Sequence, residues 1–257
     1  MSGVARLERL TNDALVALGF YTRLPSWRLV PPDRATDFSN VQWAAPLAGV
    51  VIGLLLGALN GAVDAMDVPD LLRGILVVAC GILLTGALHE DGLADVADGF
   101  GGGADRQRKL AIMKDSLLGS YGTLALIVSF MLRVTAIAAL TDPVLAALAL
   151  VAAHGAARAL MPVMLRHLPN ARGEGVAHRI GRPSQGADLA AVCIGVTALL
   201  PLGFPTVPLG LVVLAIAYIA VATLAHRQIG GQTGDVCGTL QQTGEAAILT
   251  LCATLLV

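Results

Sequence analysis

The fold is decided by the stretch LRGILVVACGILLTGALHEDGLADVADG, residues 72–99, in which an apolar run passes directly into a row of acidic side chains. Residues 72–88 carry one charge, on Arg73, and such a run is typical of a helix that crosses a membrane with its ends covered. Four acidic residues follow between positions 90 and 98. This junction predicts a membrane span that ends in a polar site.

The composition of the whole chain agrees with a membrane protein. The 257 residues are 56% hydrophobic and 14% charged, whereas an ordinary soluble domain has about a quarter of charged residues. The net charge is −1, so the chain has no overall positive charge to attract nucleic acid. Aromatic residues make up 4%, which leaves few side chains to stack on bases, so the composition does not favour nucleic-acid binding. We therefore expect membrane lipid, and no nucleic acid, as a partner.

About seven apolar stretches are long enough to cross a membrane. They are residues 43–63, 72–88, 119–140, 144–165, 188–204, 208–225 and 245–257. An open sheet in lipid would leave backbone groups unpaired, so the sequence predicts an all-α, polytopic membrane helix bundle. The N-terminal segment predicts an amphipathic helix at the membrane interface, and residues 1–257 are expected to form one integral-membrane catalytic domain.

The basic residues predict the orientation of the bundle. With seven spans, the N-terminal segment and the loops after spans two, four and six share one side and carry 14 of the 17 Lys and Arg residues. The positive-inside rule places this side in the cytoplasm. All the polar motifs lie in or beside these segments, except for an Arg158 and His154 pair inside span four.

The acidic row predicts a cation site. Asp91, Asp95 and Asp98 are spaced i, i+4 and i+7, which places them within about 40° of one another on a helix. Like charges on one face repel, and oxygen ligands suit Mg²⁺ or Mn²⁺, so we expect a divalent cation there instead of a merely solvated helix end. Glu90 lies about 100° off this stripe and is expected to reach a second metal or a hydroxyl.

The residues after the stripe predict phosphate contacts. The glycines at positions 99 and 101–103 predict a loop whose backbone approaches a phosphate, or simply the end of a helix. Lys114 and Asp115 follow within KDSLLG, and a metal ion with nearby cations is the usual apparatus for stabilising a transferring phosphoryl group.

Three further places carry polar candidates. GGQTGD, residues 230–235, predicts a turn that brings Gln232, Thr233 and Asp235 together, with a plain connector as the alternative. Arg158, four residues after His154, either faces a polar cavity or pairs with an acid from another helix. Arg23 either anchors the N-terminal helix at the interface or contacts a phosphate.

These motifs together resemble the cobalamin synthase family. The matching features, in the family's order over nearly the whole chain, are FYTRLP at 20–25, APLAGVVIG at 45–53, HEDGLADVADG at 89–99, IMKDSLLGSYG at 112–122, Arg158, and GGQTGD at 230–235. The resemblance implies a multi-pass enzyme of the inner membrane with its active site facing the cytoplasm. It would join adenosylcobinamide-GDP to α-ribazole or its 5′-phosphate and release GMP, with Mg²⁺ as cofactor.

The residues and the resemblance together assign the site. The expected catalytic residues are Asp91, Asp95, Asp98 and Asp115, and the expected metal ligands are Glu90, Asp91, Asp95 and Asp98. The expected substrate contacts are Arg23, Lys114, Ser116, Arg158, Gln232, Thr233 and Asp235. A homo-oligomer is left open.

Two other functions remain open from the sequence. DVADG, residues 95–99, is similar to the opening of the DxxDGxxAR motif of CDP-alcohol phosphotransferases, but the Ala-Arg pair is missing. A transporter would use His154 and Arg158 to line a path and the acidic stripe to bind a cation. The acids cluster at one mouth of the bundle, which is not where a transporter of this kind binds its ions.

Overall fold

The computed structural model describes residues 3–31 and 37–256, and within these ranges the chain is helical, with a single isolated β-bridge between Asn170 and Gln232. The α-helices of the described residues are α1 Gly3–Tyr21, α2 Phe38–Val41, α3 Ala45–Asp64, α4 Asp70–Thr85, α5 Leu88–Gly102, α6 Arg106–Ile112, α7 Ser120–Ala139, α8 Pro143–His167, α9 Val176–Ile180, α10 Gln185–Leu199, α11 Thr206–Ile229 and α12 Gly234–Leu255. The predicted all-α membrane bundle is confirmed.

The predicted count of seven spans is not confirmed. Five segments are long and apolar enough to cross a membrane, and they are Phe38–Asp64, Ser120–Ala139, Pro143–His167, Gln185–Leu202 and Thr206–Ile229. Helices α4 and α5 qualify only as a pair, which is bent by 92°, so the described residues contain five or six spans. Of the seventh predicted stretch, 245–257, residues 245–255 form the C-terminal half of α12, and Val257 lies outside the described residues. The polar N-terminal half of this helix lowers its hydropathy.

Helix α8 lies at the centre of the bundle and packs against α3, α10 and α12. The contact with α3 depends on glycine, because a Cβ on Gly49 would lie 2.1 Å from the carbonyl oxygen of His154. One helical turn further along α3, a Cβ on Gly53 would lie 2.5 Å from Cα of Val151. Small residues let two backbones approach closely, and van der Waals packing of this kind holds membrane helices together.

The chain turns sharply between α4 and α5. Gly86 and Ala87 both adopt left-handed backbone conformations, with φ of 68° and 58°. The guanidinium of Arg23 packs over Gly86, whose added Cβ would lie 2.5 Å from Nε of Arg23. As a result α5, which has 15 residues and does not qualify as a span alone, runs across the direction of α4.

The glycines after the acidic stripe do not form the predicted loop. Helix α5 continues through Gly102. A Cβ on Gly99 would lie 2.4 Å from Cγ of Met113, and one on Gly101 would lie 2.6 Å from the ring of Tyr121. These glycines therefore allow α5 to pack closely against its neighbours, which a sequence pattern cannot distinguish from a loop.

The N-terminal helix is confirmed as α1, of which Ala17 and Tyr21 are buried. Its position at the membrane interface stays a prediction.

Candidate active site

The site forms where α5 lies against the beginning of α12. A Cβ on Gly92 would lie 2.9 Å from Cα of Asp235, so only glycine permits this approach. The hydroxyl of Thr239 donates to the carbonyl oxygen of Gly92 across the same contact, at 3.2 Å. The contact brings the acidic stripe of α5 to Asp235, which is 137 or more residues away in the sequence.

Three carboxylates share this place, on Asp91, Asp95 and Asp235. Burial, followed by the charges of Asp235 and Asp91, raises the pKa of Asp95 to about 7. Burial also raises the pKa of Asp235, although its ion pair with Arg172, at 2.9 Å, opposes the shift. One arginine thus faces three carboxylates, and the surplus negative charge favours a bound cation.

The chemistry of these donors fits Mg²⁺. No three His, Cys, Asp or Glu side chains among the described residues are grouped closely enough to form a metal cage of protein ligands. Mg²⁺ seldom needs one, because it is usually bound by one or two carboxylates together with water and substrate phosphates. The set Asp91, Asp95 and Asp235 supplies oxygen donors of that kind.

A cavity of about 170 Å³ opens beside these carboxylates, and both Asp91 and Asp235 line it. Its other walls are mainly apolar and include Phe20, Tyr21 and Met161. It has the composition of a small-molecule site, in which apolar walls surround a few polar groups.

Asp98 departs from the predicted stripe. Its two carboxylate oxygens accept hydrogen bonds from the backbone N–H groups of Gly119, at 2.7 Å, and Gly122, at 2.8 Å. These are unpaired donors at the beginning of α7, where a carboxylate also interacts favourably with the helix dipole. We therefore assign Asp98 to holding α7 against α5, and not to the metal.

Glu90 also lies apart from the other acids. Oε1 of Glu90 accepts from Nη1 of Arg133 at 2.9 Å, and the same Nη1 lies 3.2 Å from Glu245 on α12. All three side chains are buried. Its angle on α5 turns Glu90 into the bundle, so the geometry does not support the predicted metal contact.

Arg158 belongs to the same buried network. It is 1% exposed, and its Nη1 lies 3.0 Å from Nδ1 of His154 and 3.9 Å from Glu245. The alternative in which Arg158 pairs with an acid from another helix is therefore the one that the structure favours. The network reaches the site through His89, whose ring stacks on Tyr21 with 5.9 Å between centroids.

The polar loops of the predicted cytoplasmic side meet at this end of the bundle. Arg106 donates from Nε to the carbonyl oxygen of Ile229 at 2.7 Å and from Nη2 to that of Ala171 at 3.0 Å. Lys109 donates to the side chain of Gln228. The prediction that the loops after spans two, four and six share one side is confirmed by these contacts.

The remaining candidates are more exposed. Lys114 pairs with Glu174 at 2.8 Å across two of these loops. Asp115 and Ser116 lie exposed between α6 and α7, and Asp115 accepts from the backbone N–H of Leu117 at 3.3 Å. Arg23 is exposed at the α4–α5 bend, and no ion pair to it is formed within the described residues.

The predicted turn at 230–235 is correct up to Thr233. Gln232 exchanges backbone hydrogen bonds with Pro169 and Ala171, at 2.8 and 2.9 Å. Thr233 caps α12, with Oγ1 accepting from the N–H of Val236 and donating to Asp235, both at 3.3 Å. Gly234 and Asp235 already belong to α12.

Two residues of the site were not foreseen in the sequence. Arg172 lies in an irregular loop, where no periodicity marks it. Glu245 had a signal, because Gln241 and Glu245 lie four residues apart and so share one helix face, but nothing in the sequence marks their partners on other helices.

These features define a multi-pass helical membrane protein with a polar site where its loops meet. Comparison with known proteins is more specific. Residues 13–253 match the model of the CobS, cobalamin-5-phosphate synthase, family, and the chain belongs to that family.

Three relatives carry the name adenosylcobinamide-GDP ribazoletransferase. The protein of Bradyrhizobium diazoefficiens is 42% identical over 254 residues, which cover 98% of this chain and 96% of the relative. That of Azorhizobium caulinodans is 43% identical, covering 95% and 96%. That of Mesorhizobium japonicum is 38% identical, covering 97% and 95%. No solved structure gives a significant match.

Proposed function

We propose that the chain is an adenosylcobinamide-GDP ribazoletransferase that acts late in cobalamin biosynthesis. It joins adenosylcobinamide-GDP to α-ribazole, or to α-ribazole 5′-phosphate, and releases GMP. Membership of the family supports the reaction. The observation that carries the site is the convergence of Asp91, Asp95 and Asp235 beside one cavity, with Arg172 as counter-ion.

Asp91, Asp95 and Asp235 are the proposed carboxylates of the Mg²⁺ site, of which one or two would bind the ion together with water and the donor diphosphate. Bound there, Mg²⁺ would hold the diphosphate of the donor and offset the charge that develops on departing GMP. Arg172 fixes Asp235 by its ion pair and keeps this carboxylate ionised and oriented. The apolar walls of the cavity exclude water from the reacting phosphate.

The reaction replaces the phosphoanhydride bond of the donor diphosphate by a phosphoester bond to ribazole. A hydroxyl of ribazole attacks the phosphorus bonded to the cobinamide arm, the new O–P bond forms, and the bond to GMP breaks. Asp115 is the proposed acceptor of the hydroxyl proton, because its carboxylate is exposed and makes one long hydrogen bond, whereas both oxygens of Asp98 are engaged.

The other proposed substrate contacts come from the converging loops. Arg23, Lys114 and Ser116 are exposed and are the proposed contacts of phosphate oxygens, for which Lys114 would exchange its ion pair with Glu174. Thr233 and Gln232 position Asp235 and the loop opposite. Buried Arg158 acts on the site through His89 and is a positioning residue.

We further propose that the protein lies in the inner membrane with this site facing the cytoplasm. The basic residues of the loops after predicted spans two, four and six support this orientation. Lipid surrounds the apolar helices, and a homo-oligomer stays a prediction.

The test is a product assay with purified protein in detergent and Mg²⁺. Adenosylcobinamide-GDP is incubated with α-ribazole or its 5′-phosphate, and a parallel sample receives CDP-alcohol lipid and an alcohol acceptor. We expect GMP from the first sample and no CMP from the second. CMP release without GMP release would favour the CDP-alcohol alternative, and ion flux in proteoliposomes without either product would favour a transporter.

A further inference from the structure

A second cavity, of about 490 Å³, lies on the other side of the loop that carries Gln232. Its volume is within the range of roughly 300–1,000 Å³ that is usual for small-molecule sites. It adjoins the carboxylate cavity, since Leu165 and Ala177 line both. A ligand bound here therefore lies next to the proposed reaction centre.

The side chains around this second cavity are basic. Arg166, His167, His178 and Arg182 line it, and no acidic residue of the described chain does. The carboxylate of Asp188 lies behind them, 3.2 Å from Nε of Arg166 and 3.6 Å from Nε2 of His167. The cavity therefore favours an anion.

The guanidinium groups of Arg166 and Arg182 are each fixed by a hydrogen bond to a backbone carbonyl oxygen. Nε of Arg182 donates to the carbonyl oxygen of Arg166 at 2.8 Å, and Nη1 of Arg166 donates to that of Pro183 at 3.1 Å. No acid pairs with Arg182 within the described residues, so its terminal N–H groups are free to bind a ligand. Held in this way, guanidinium groups suit the bidentate binding of a phosphate.

The cavity also contains an unused hydrogen-bond acceptor. Gln232 is 3% exposed, and its Oε1 accepts no hydrogen bond from the described residues. Nδ2 of Asn170, beside it, likewise lacks an acceptor. A buried polar atom without a partner is unfavourable, and a ligand with a hydroxyl or a ring N–H would satisfy the Gln232 oxygen.

We propose that this cavity is a binding site for a nucleoside 5′-phosphate, with the phosphate on Arg166 and Arg182 and the nucleoside on Gln232. This proposal rests on the proposed function and deepens it. Two reactants contain this chemistry, namely α-ribazole 5′-phosphate and the guanosine nucleotide of the donor. The site would thus hold either the acceptor or the leaving nucleotide beside the carboxylates.

The test compares Arg182→Gln with Arg179→Gln, a matched control that removes the same charge from an exposed residue of α9 outside the cavity. Calorimetry in detergent with EDTA measures the binding of GMP, α-ribazole 5′-phosphate and unphosphorylated α-ribazole, so no turnover is needed. We expect Arg182→Gln to weaken the binding of one or both phosphates about 10-fold and to leave the binding of α-ribazole unchanged, since only the phosphates lose a charge-assisted hydrogen bond. Arg182→Lys should keep most of the affinity.

The outcomes separate the two sources. A loss confined to α-ribazole 5′-phosphate assigns the cavity to the acceptor, and a loss confined to GMP assigns it to the donor. Unchanged binding of both phosphates, or an equal loss in Arg179→Gln, overturns the proposal. If Arg182→Gln is not monodisperse, Gln232→Met is measured instead, and unchanged nucleotide binding in that variant likewise overturns it.

The result is independent of the reaction itself. Nucleotide binding by wild-type protein that releases no GMP would support the cavity and reject the proposed function. Turnover with unchanged binding and KM in Arg182→Gln would support the function and reject the cavity.

Discussion

At the scale of single residues, Arg133 is a buried charge that two carboxylates hold inside the bundle. It lies inside a candidate membrane span, is 4% exposed, and faces Glu90 and Glu245 at 2.9 and 3.2 Å. Charges in such surroundings persist because they are paired. Removing one partner leaves the others buried and uncompensated.

We therefore predict that Arg133→Met lowers the free energy of unfolding by about 3–5 kcal/mol, because two buried carboxylates lose their counter-ion. Thermal unfolding in detergent measures the effect as a lower Tm. The matched control is Lys114→Met, which breaks the exposed pair with Glu174 and should leave Tm unchanged. Equal effects of the two changes would contradict the account.

At the scale of secondary-structure elements, the acids of α5 divide among three neighbours. Glu90 faces α7 and α12 inside the bundle, and Asp98 faces the beginning of α7. Asp91 lines the cavity with Asp235, and the charges of both act on Asp95. When a helix packs on several sides, the residues on each face contact a different neighbour and have a different role. Helical spacing alone therefore could not show that Asp98 and Asp95 have different roles.

Asp98→Ala is predicted to lower stability by about 1–3 kcal/mol, because two N–H groups at the beginning of α7 lose their acceptor. Asp95→Ala, a change of the same kind one turn earlier, should leave stability unchanged or raise it, since the Asp95 carboxylate is repelled by its neighbours. Unfolding monitored by circular dichroism compares the two variants. Loss of stability in Asp95→Ala alone would reverse the assignment.

Much of α5 and its surroundings could be predicted from the sequence. The apolar runs predicted helices in seven stretches, and the described part of each stretch contains one. The charge pattern predicted that three polar loops share one side, and these loops contact one another. The partners could not be predicted, because Arg172 acts on Asp95 of α5 from a remote loop and Glu245 shares Arg133 with Glu90 of α5 from a remote helix. The bend at Gly86 and Ala87 was also missed, since an apolar run shows no sign of a left-handed alanine.

At the scale of the whole molecule, the orientation in the membrane decides which compartment supplies the substrates. Met66 lies 74% exposed between α3 and α4, and Ser116 lies exposed between α6 and α7 at the opposite end of the predicted topology. The basic loops around Ser116 predict the cytoplasm for that end.

This orientation is tested with single cysteines in a Cys193→Ser background, which removes the exposed native thiol. A membrane-impermeant maleimide should label Met66→Cys in spheroplasts and Ser116→Cys only in inverted vesicles. The opposite pattern would place the site outside the cytoplasm.

The central claim is that the carboxylates joined by the α5–α12 contact hold the Mg²⁺ on which transfer depends. Its most direct test is GMP release by wild-type protein, Asp95→Asn and Asp235→Asn over a range of Mg²⁺ concentrations, with EDTA as the metal-free reference. We predict that EDTA abolishes release and that both variants lower it at least 100-fold, or about 2.7 kcal/mol, at Mg²⁺ levels that saturate the wild type, with Tm preserved. Wild-type release from Asp95→Asn at saturating Mg²⁺, or release that persists in EDTA, would contradict the claim.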